Sequence, residues 1–361
     1  MTEKDNALEL GDVKCHFAQG KVRAVDGVSL SVPRGEILSI LGPSGCGKTT
    51  LMRMIAGLET PTQGYIRIHG RDVAGLTPQQ RNVGLVFQSL AVFPHMTVEK
   101  NVAFGLRMRN VASETIRAKV RDVLELVQLP PANFAARWPN ELSGGQLQRV
   151  ALARTLVTQP ALVLFDEPMA ALDRRLRDYM AVELRAIQKK MGIAAVYVTH
   201  DQQTASTMSD RIAVMSGGKV LQVGPPPDIY NAPANRFVAE FVGDANILTV
   251  GKVLSVDGDI SEVEVEAGCR LRVKACEHLT KGGKIIFRPG QTQVDVADPG
   301  GGMQAKLVSV SFNSGFYHWQ MELPDGTSLS AGSTRDYLAS ASTGQSVWVS
   351  VDPEHTRVVE A

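Results

Sequence analysis

Residues 41–50, LGPSGCGKTT, place three glycines, a lysine and two threonines directly after the apolar run EILSI. The stretch satisfies the pattern G-x-x-x-x-G-K-[ST], and it lies after a predicted strand and at the start of a predicted helix. Its defining residues are Gly42, Gly45, Gly47, Lys48 and Thr49. Glycines let backbone N–H groups converge on phosphate oxygens, and the helix N-terminus adds partial positive charge. The stretch therefore predicts a loop that binds nucleotide phosphates.

Two side chains of the loop and two carboxylates further along have predicted roles. Lys48 would reach the β- and γ-phosphates, and the Thr49 hydroxyl would bind Mg²⁺. The run ALVLFDEP at 161–168 predicts a buried strand that ends at Asp166 and Glu167. One carboxylate at a strand end suits Mg²⁺, and its neighbour suits the polarisation of an attacking water. Together, the loop and the acidic pair predict a nucleoside triphosphatase.

The apolar pattern predicts an α/β fold followed by an all-β domain. Between Val32 and about Gly217, short β-rich runs such as NVGLVF and AAVYV alternate with longer stretches at helical spacing, such as LQRVALARTLV. That alternation favours a mainly parallel sheet covered by helices. A glycine- and proline-rich segment follows, and beyond it the chain has period-two runs such as VEVEAGCRLRVKA with glycine turns between them. We expect a domain boundary near Arg236.

Composition and charge exclude several classes of protein. The 38 basic and 37 acidic side chains give a formal net charge of +1 with no long single-sign block, which does not favour nucleic acid as a partner. The N-terminal residues lack the apolar core of a secretion signal, and the longest apolar runs are too short to span a bilayer. A cytoplasmic location is therefore expected.

A second glycine motif, LSGGQ at 142–146, precedes the helical pattern of residues 147–157 and offers another helix N-terminus to an anion. A signature of this kind between a phosphate loop and a DE strand resembles ATP-binding-cassette ATPases, over roughly residues 7 to 240. The resemblance implies that two copies pack head to tail. Each ATP would then lie between the phosphate loop of one copy and Ser143, Gly144, Gly145 and Gln146 of the other.

The resemblance also implies roles for individual residues. Glu167 is expected as the general base, Gln88 as the contact to Mg²⁺ and the attacking water, and His200 as the contact to the γ-phosphate. Asp166 and Thr49 complete the expected Mg²⁺ set, and Asp173 is expected to cross to the partner's phosphate site. Residues expected to hold ATP within the loop are Gly42, Pro43, Ser44, Gly45, Cys46, Gly47, Lys48, Thr49 and Thr50.

The base-stacking residue and three departures from the family pattern leave questions open. Phe17 matches the aromatic residue that stacks on adenine, although His16 competes for that role. Ala170 stands where relatives usually carry serine, and we expect slower hydrolysis from the missing hydroxyl. Gln203 and Thr204 replace common acidic residues, which we expect to affect the helix surface more than the chemistry.

The segment FPHMTVEKNVAFGL at 93–106 resembles the importer branch of the family. The tail segments IIFRPGQTQV and VDPEHTRVV resemble the OB-like (TOBE) β-barrel appended to importer ATPases of the polyamine, ferric iron, maltose and sulfate type. The implied organisation is a P-loop cassette at 1–236 with a helical subdomain at about 89–160, followed by a regulatory or dimerisation barrel at 237–361.

The resemblance also implies partners and a location. The partners are a second copy of the chain, two transmembrane permease subunits and, indirectly, an external solute-binding protein. The implied location is the inner face of the cell membrane. Polyamine or ferric iron is the expected cargo. Sugar or oxyanion import and a non-transport cassette are the alternatives.

Overall fold

The computed structural model describes residues 6–17, 20–170, 172–276, 278–298 and 300–360. The chain divides into two compact units between Pro226 and Pro227. The boundary predicted near Arg236 lies inside the second unit and stays a prediction. None of the helices in the described ranges is long and apolar enough to cross a bilayer.

The first unit alternates strands and helices along the chain. Its elements are β1 Asn6–Phe17, β2 Val22–Pro33, β3 Ile37–Leu41, α1 Lys48–Ala56, β4 Gln63–Ile68, β5 Arg71–Asp72, β6 Val83–Val86, α2 Val98–Met108, α3 Ser113–Leu126, α4 Pro131–Phe134, α5 Gly144–Leu156, β7 Leu162–Asp166, α6 Arg174–Met191, β8 Ala194–Thr199, α7 Gln202–Met208, β9 Arg211–Ser216 and β10 Lys219–Gly224.

A six-stranded sheet in the order β10-β9-β3-β8-β7-β6 carries the site. The pairs from β9 to β6 are parallel, and β10 is antiparallel to β9. Every residue of β3 and β8 is buried, as expected where helices or other layers cover both faces of a parallel sheet. The predicted α/β architecture is confirmed. Because parallel strands run in one direction, the carboxyl ends of β3, β8, β7 and β6 share one edge.

The two faces of this sheet belong to different hydrophobic cores. In β8, Val196 and Val198 join a core that includes α1 and the antiparallel sheet β2-β1-β4-β5. Ala195 and Tyr197 point into the other core, where α2, α3, α5 and α6 pack. This alternation follows from the two-residue period of a strand. Both faces of the strands that lead to the site are therefore held by packing.

The second unit is all-β apart from short helices at its start. Its elements are α8 Pro226–Asn231, which begins at the boundary, α9 Arg236–Phe241, β11 Asn246–Asp257, β12 Ile260–Val265, β13 Arg270–Lys274, β14 Lys284–Phe287, β15 Thr292–Asp295, β16 Met303–Asn313, β17 Phe316–Glu322, β18 Ser328–Ser333, β19 Ser346–Val351 and β20 Arg357–Val359.

The strands of this unit form two five-stranded sheets, in the orders β13-β12-β11-β14-β20 and β15-β19-β16-β17-β18. One core joins both sheets and includes Val250, Phe287 and Trp319. The predicted all-β region is confirmed, with VEVEAGCRLRVKA forming the hairpin β12–β13.

Arg288, in the segment IIFRPGQTQV, organises the start of the second unit. It is 2% exposed, and its guanidinium donates to the carbonyls of Tyr230, Ala239, Gly243 and Asp244. Burial lowers the pKa of this guanidinium. The arginine of this segment is therefore a structural residue that joins the short helices to the sheet.

Candidate active site

The loop between β3 and α1 has two positions, Gly42 and Gly47, that only glycine can occupy without a steric clash. A Cβ on Gly42 would lie 2.2 Å from the carbonyl oxygen of Met215, and a Cβ on Gly47 would lie 2.0 Å from that of Ala24. Gly47 also has a φ of 104°, a left-handed conformation that side chains rarely adopt. The loop is therefore packed against two neighbouring strands at its base.

Hydrogen bonds from neighbouring segments hold the phosphate loop, while the residues at its tip are exposed. The Cys46 carbonyl accepts from Gly218 N at 3.1 Å, and the Gly218 carbonyl accepts from Asp26 N at 2.8 Å. Ser44 and Gly45 are exposed. Of the other predicted ATP contacts in this stretch, Pro43, Thr49 and Thr50 are half-buried, and the rest are buried. The exposed tip of the loop, at the end of β3, is therefore accessible to an anion.

Lys48 is the cation of this loop. Its side chain is 6% exposed, and Nζ donates to the carbonyl oxygens of Gly42 and Pro43, both at 2.8 Å. The ammonium thus lies within the turn that would surround a phosphate. Phosphate oxygens are stronger acceptors for an ammonium than neutral carbonyls, because both partners are then charged.

The predicted acidic pair lies at the end of β7. Asp166 is the last residue of the strand, and Glu167 follows it with a φ of 45°. Burial and the neighbouring Glu167 charge raise the pKa of Asp166, against the opposing effect of Arg53 and Lys48. A carboxylate that is destabilised in this way gains from a nearby cation.

His200 lies beside Glu167 across neighbouring strands. β7 pairs with β8 so that Asp166 is opposite Val198, and Glu167 N donates to the Val198 carbonyl at 3.1 Å. His200 directly follows β8, and its Nδ1 lies 3.1 Å from Glu167 Oε1. The structure therefore brings together two side chains that are 33 positions apart in the chain.

Gln88 follows β6 on the other side of β7 and is exposed. The loop after it is held by Asn101, which is fully buried in α2. Asn101 Nδ2 donates to the Phe93, Met96 and Thr97 carbonyls, and its Oδ1 accepts from Phe93 N at 2.8 Å. Sequence reasoning missed Asn101, although a polar residue on the apolar face of a predicted helix is a usable signal.

A second residue holds the loop after Gln88 and was also missed. Arg154 of α5 donates to the Ala91 carbonyl, and its guanidinium carbon lies 4.9 Å from the centre of the Phe93 ring. Burial lowers the pKa of Arg154. Because α5 also carries the second glycine motif, this contact links the loop after Gln88 to the signature helix.

The motif LSGGQ starts α5. Ser143 caps the helix, because its Oγ accepts from Gln146 N at 3.4 Å and its own N–H donates to Gln146 Oε1 at 3.0 Å. A Cβ on Gly144 or Gly145 would meet only ordinary contacts, the nearest at 3.8 and 3.7 Å. Unlike the glycines of the phosphate loop, these two are not required by this chain's own packing.

Asp173 and Ala170 lie in the turn between β7 and α6. Asp173 caps α6, and its Oδ1 accepts from Leu176 N at 3.0 Å. Ala170 is exposed, and its N–H donates to the Glu167 carbonyl at 3.1 Å. The neighbouring Ala171 lies outside the described residues. The missing hydroxyl of Ala170 therefore falls within one turn of the predicted base.

Thr204 corrects one expectation. We expected it on the surface of its helix, but it is 1% exposed. It lies in the first turn of α7, where its N–H donates to Asp201 Oδ1. In a short helix that packs against α6 and the sheet, this position faces inward. The replacement of an acidic residue by threonine therefore changes the interior next to His200.

The structure separates the two candidates for base stacking. His16 is half-buried, and its Nε2 lies 3.1 Å from Asp26 Oδ1. Phe17 is 40% exposed at the end of β1. The register pairs Phe17 with Val22 of β2. Ala24, two residues further along β2, is the residue whose carbonyl lies against Gly47. An exposed ring near the phosphate loop favours Phe17 for this role.

Comparison with known proteins shows the same organisation. The family model described as ABC transporter matches residues 25–170. The spermidine/putrescine import ATP-binding protein PotA of Thermobifida fusca is 44% identical over 98% of this chain and 93% of its own length. PotA 1 of Pseudomonas aeruginosa is 42% identical over 93% of this chain and 92% of its own length.

Solved structures match about two thirds of this chain. A dimeric post-hydrolysis structure of the ATP-binding cassette MJ0796 bound to ADP and Pi has 32% identity and a TM-score of 0.53, covering 61% of this chain and 98% of that one. CbiO1 of Clostridium perfringens, part of the transporter complex cbiONQ, has 28% identity and a TM-score of 0.58, covering 66% and 93%. With its phosphate loop, signature helix and Glu167–His200 pair, the chain belongs to the ABC transporter family, as one of its ATP-binding and ATP-hydrolysing cassettes.

Proposed function

We propose that this chain is the ATPase subunit of a polyamine importer. It would bind and hydrolyse MgATP between two copies of itself and drive uptake through partner membrane subunits. The observation that carries the hydrolytic part is the 3.1 Å contact between Glu167 and His200 at the same sheet edge as the phosphate loop.

The residues at this edge fit Mg²⁺. Thr49, Asp166 and Gln88 offer the hydroxyl, carboxylate and amide oxygens that Mg²⁺ prefers. Asp166 is half-buried with a raised pKa, and a cation beside it offsets that cost. The bound ion would neutralise charge that develops on the phosphate oxygens.

The chemistry assigned to each side chain follows from its position. The Glu167 carboxylate accepts the proton of the attacking water as the water oxygen bonds to the γ-phosphorus and ADP leaves. His200 contacts this carboxylate through Nδ1 and would contact the γ-phosphate through its other ring nitrogen. Lys48 exchanges its two carbonyl acceptors for phosphate oxygens. Phe17 stacks on adenine, and Gln88 orients the water from the neighbouring strand end.

The signature glycines support a site shared between two copies. Glycine is a poor helix former, and the packing of this chain does not require it at Gly144 or Gly145. Such positions are consistent with close approach of an external group to the backbone. We assign that group to the phosphates held by a second copy, with Ser143, Gln146 and Asp173 at the same interface.

The cargo and partners are proposed from the relatives. Several are named as spermidine/putrescine import ATP-binding proteins, and the matches extend through both units of this chain. The partners would be two permease subunits at the inner face of the membrane and, indirectly, an external solute-binding protein. For residues 237–361 we propose stabilisation of the dimer, with ligand sensing as the alternative.

Uptake by the reconstituted transporter tests this function. The chain is assembled with its copurifying permease pair in vesicles, and uptake of labelled spermidine is measured against ferric iron, maltose and sulfate. We expect ATP-dependent spermidine uptake that is lost in Lys48→Ala and Glu167→Gln.

These two variants separate binding from hydrolysis. Lys48→Ala should lose productive ATP binding, whereas Glu167→Gln should retain it. ATP-driven uptake of another solute with none of spermidine would overturn the polyamine assignment, and normal ATP turnover by Lys48→Ala would place the nucleotide site elsewhere.

A further inference from the structure

Arg177 joins the two chain segments that flank the Glu167–His200 pair. Its Nη2 donates to the Leu172 carbonyl at 2.9 Å, in the turn that leads from Glu167 to Asp173. Its Nη1 donates to Asp201 Oδ2 at 3.1 Å, next to His200. One guanidinium therefore contacts both the turn after β7 and the residue that follows the histidine after β8.

Asp201 fixes the backbone on both sides of His200. Its N–H donates to Thr199 Oγ1 at 2.9 Å, and its Oδ1 accepts from Thr204 N at 2.5 Å. Burial alone would raise the pKa of Asp201, but hydrogen bonds from Thr204 and the Arg177 charge lower it below the ordinary value. The carboxylate is therefore ionised and held from two directions, directly next to His200 in the chain.

A small cavity lies behind the catalytic pair. Its volume is about 30 Å³, and its lining includes Arg177, Thr204, Asp201, Glu167 and His200. Arg177 Nε and Thr204 Oγ1 are buried and have no hydrogen-bond partner within the described part of the chain. A cavity of about 10–15 Å³ is enough for one water when two or more polar groups can bind it. Both conditions are met here.

We propose that Arg177 is a positioning residue for hydrolysis. With Asp201 and Thr204 it holds His200 against Glu167, and the cavity binds one water between Arg177 Nε and the Thr204 hydroxyl. This inference rests on the proposed shared site, in which Asp173 reaches the partner's ATP. The Leu172 contact then makes Arg177 the link between the partner's nucleotide and the histidine at this chain's own site.

Steady-state hydrolysis by the reconstituted transporter tests the link. Arg177→Gln and Asp201→Asn should each lower kcat about 10-fold or more, with KM for ATP changed less than about 3-fold, because the phosphate loop and Phe17 are untouched. The double variant should be no slower than the slower single variant, since both single changes disrupt the same Arg177–Asp201 contact. Arg177→Lys should recover part of kcat, because it keeps the charge and loses the forked geometry.

A matched control removes other contacts between the same helices. Gln203 accepts from Arg174 at 3.0 Å and donates to Asp178 at 3.2 Å on the exposed side of α6 and α7. Gln203→Ala should leave kcat unchanged. For the water, Thr204→Val should lower kcat while Thr204→Ser retains it.

The outcomes separate this inference from the proposed function. Native kcat in Arg177→Gln, or multiplying losses in the double variant, would overturn the positioning role. Native kcat in Thr204→Val would overturn the water site. If Arg177→Gln does not fold, Asp201→Asn decides the positioning role, because it removes the charge on the other side of the same contact and native kcat in it would overturn that role. A native chain that does not hydrolyse ATP would instead remove the proposed function.

Discussion

At the scale of single residues, the site combines a lysine that already donates to neutral carbonyl acceptors with a glutamate that contacts a histidine side chain. Lys48 donates to two carbonyls of its own loop, and Glu167 is oriented by His200. Ala170 contributes only a methyl group to the cavity next to Glu167 and His200. This is the position where a small change in side chain has the clearest expected effect.

Ala170→Ser should speed hydrolysis. The added hydroxyl supplies a donor within one turn of Glu167, and a hydrogen bond with a net value of about 0.5–1.5 kcal/mol corresponds to roughly a 2- to 10-fold change in kcat. Transport-coupled ATPase activity measures it. Ala170→Cys is the control, because it has similar size and a weak donor. A rate that is unchanged or lower in Ala170→Ser would mean that the missing hydroxyl is not limiting.

At the scale of elements, the two glycine motifs differ in whether the fold of this chain requires their glycines. Gly47 is required by the fold, because its φ is 104° and a Cβ would meet the Ala24 carbonyl at 2.0 Å. Gly144 is helical, and the nearest contact of a Cβ would be Leu172 at 3.8 Å. The same substitution should therefore affect stability at one position and activity at the other.

Gly144→Ala should keep or raise the melting temperature and lose ATPase activity, whereas Gly47→Ala should lower the melting temperature. The gain at Gly144 is at most about 1 kcal/mol, which corresponds to roughly 2–4 °C for a unit of this size. The activity loss should be about 10-fold or more if the alanine methyl meets the partner's phosphates. Calorimetry and ATP hydrolysis on the same preparations measure both. Full activity in Gly144→Ala would contradict close approach at this helix start.

The sequence predicts elements best where one physical signal acts alone. The strands of the parallel sheet are continuous apolar runs, so β3, β7 and β8 were recognisable from hydrophobicity. The antiparallel sheet was not predicted, because register shifts in β1 between Leu10 and Val13 and between Cys15 and His16 interrupt the two-residue alternation.

The site was predictable to the extent that motifs are local. The phosphate loop, the acidic pair and the signature each lie within ten consecutive residues. Asn101 left a signal that was missed, a polar residue on the apolar face of a predicted helix. Arg154 and Arg177 were not predictable, because each acts on a carbonyl or carboxylate supplied by another part of the chain. The inward direction of Thr204 likewise depends on how α7 packs, which a period in the sequence does not reveal for a helix of seven residues.

At the scale of the whole molecule, the proposed site is complete only when two copies meet. One chain offers a phosphate loop with Glu167 and His200, and a separate helix start with exposed Ser143 and Gly144. Nucleotide that contacts both parts stabilises the paired state by mass action. Pairing should therefore depend on ATP and persist while hydrolysis is blocked.

Glu167→Gln should form a dimer in saturating MgATP. Loss of a general base slows turnover by roughly 10²-fold or more, so the ATP-bound state accumulates. Size-exclusion chromatography with light scattering measures the mass, and the double variant Lys48→Ala with Glu167→Gln is the unpaired control. Glu167→Gln that stays monomeric both alone and within the assembled permease would contradict the shared site.

The backbone at Glu167 has a consequence for how such a chain changes over generations. Its φ of 45° lies where asparagine and glycine are more comfortable than glutamate. Replacing Glu167 by such a residue would therefore raise the stability of the fold, and selection for ATP turnover opposes that replacement. In a duplicated gene that is no longer under selection for transport, we expect this codon to be substituted early, with a gain in melting temperature as ATPase activity is lost.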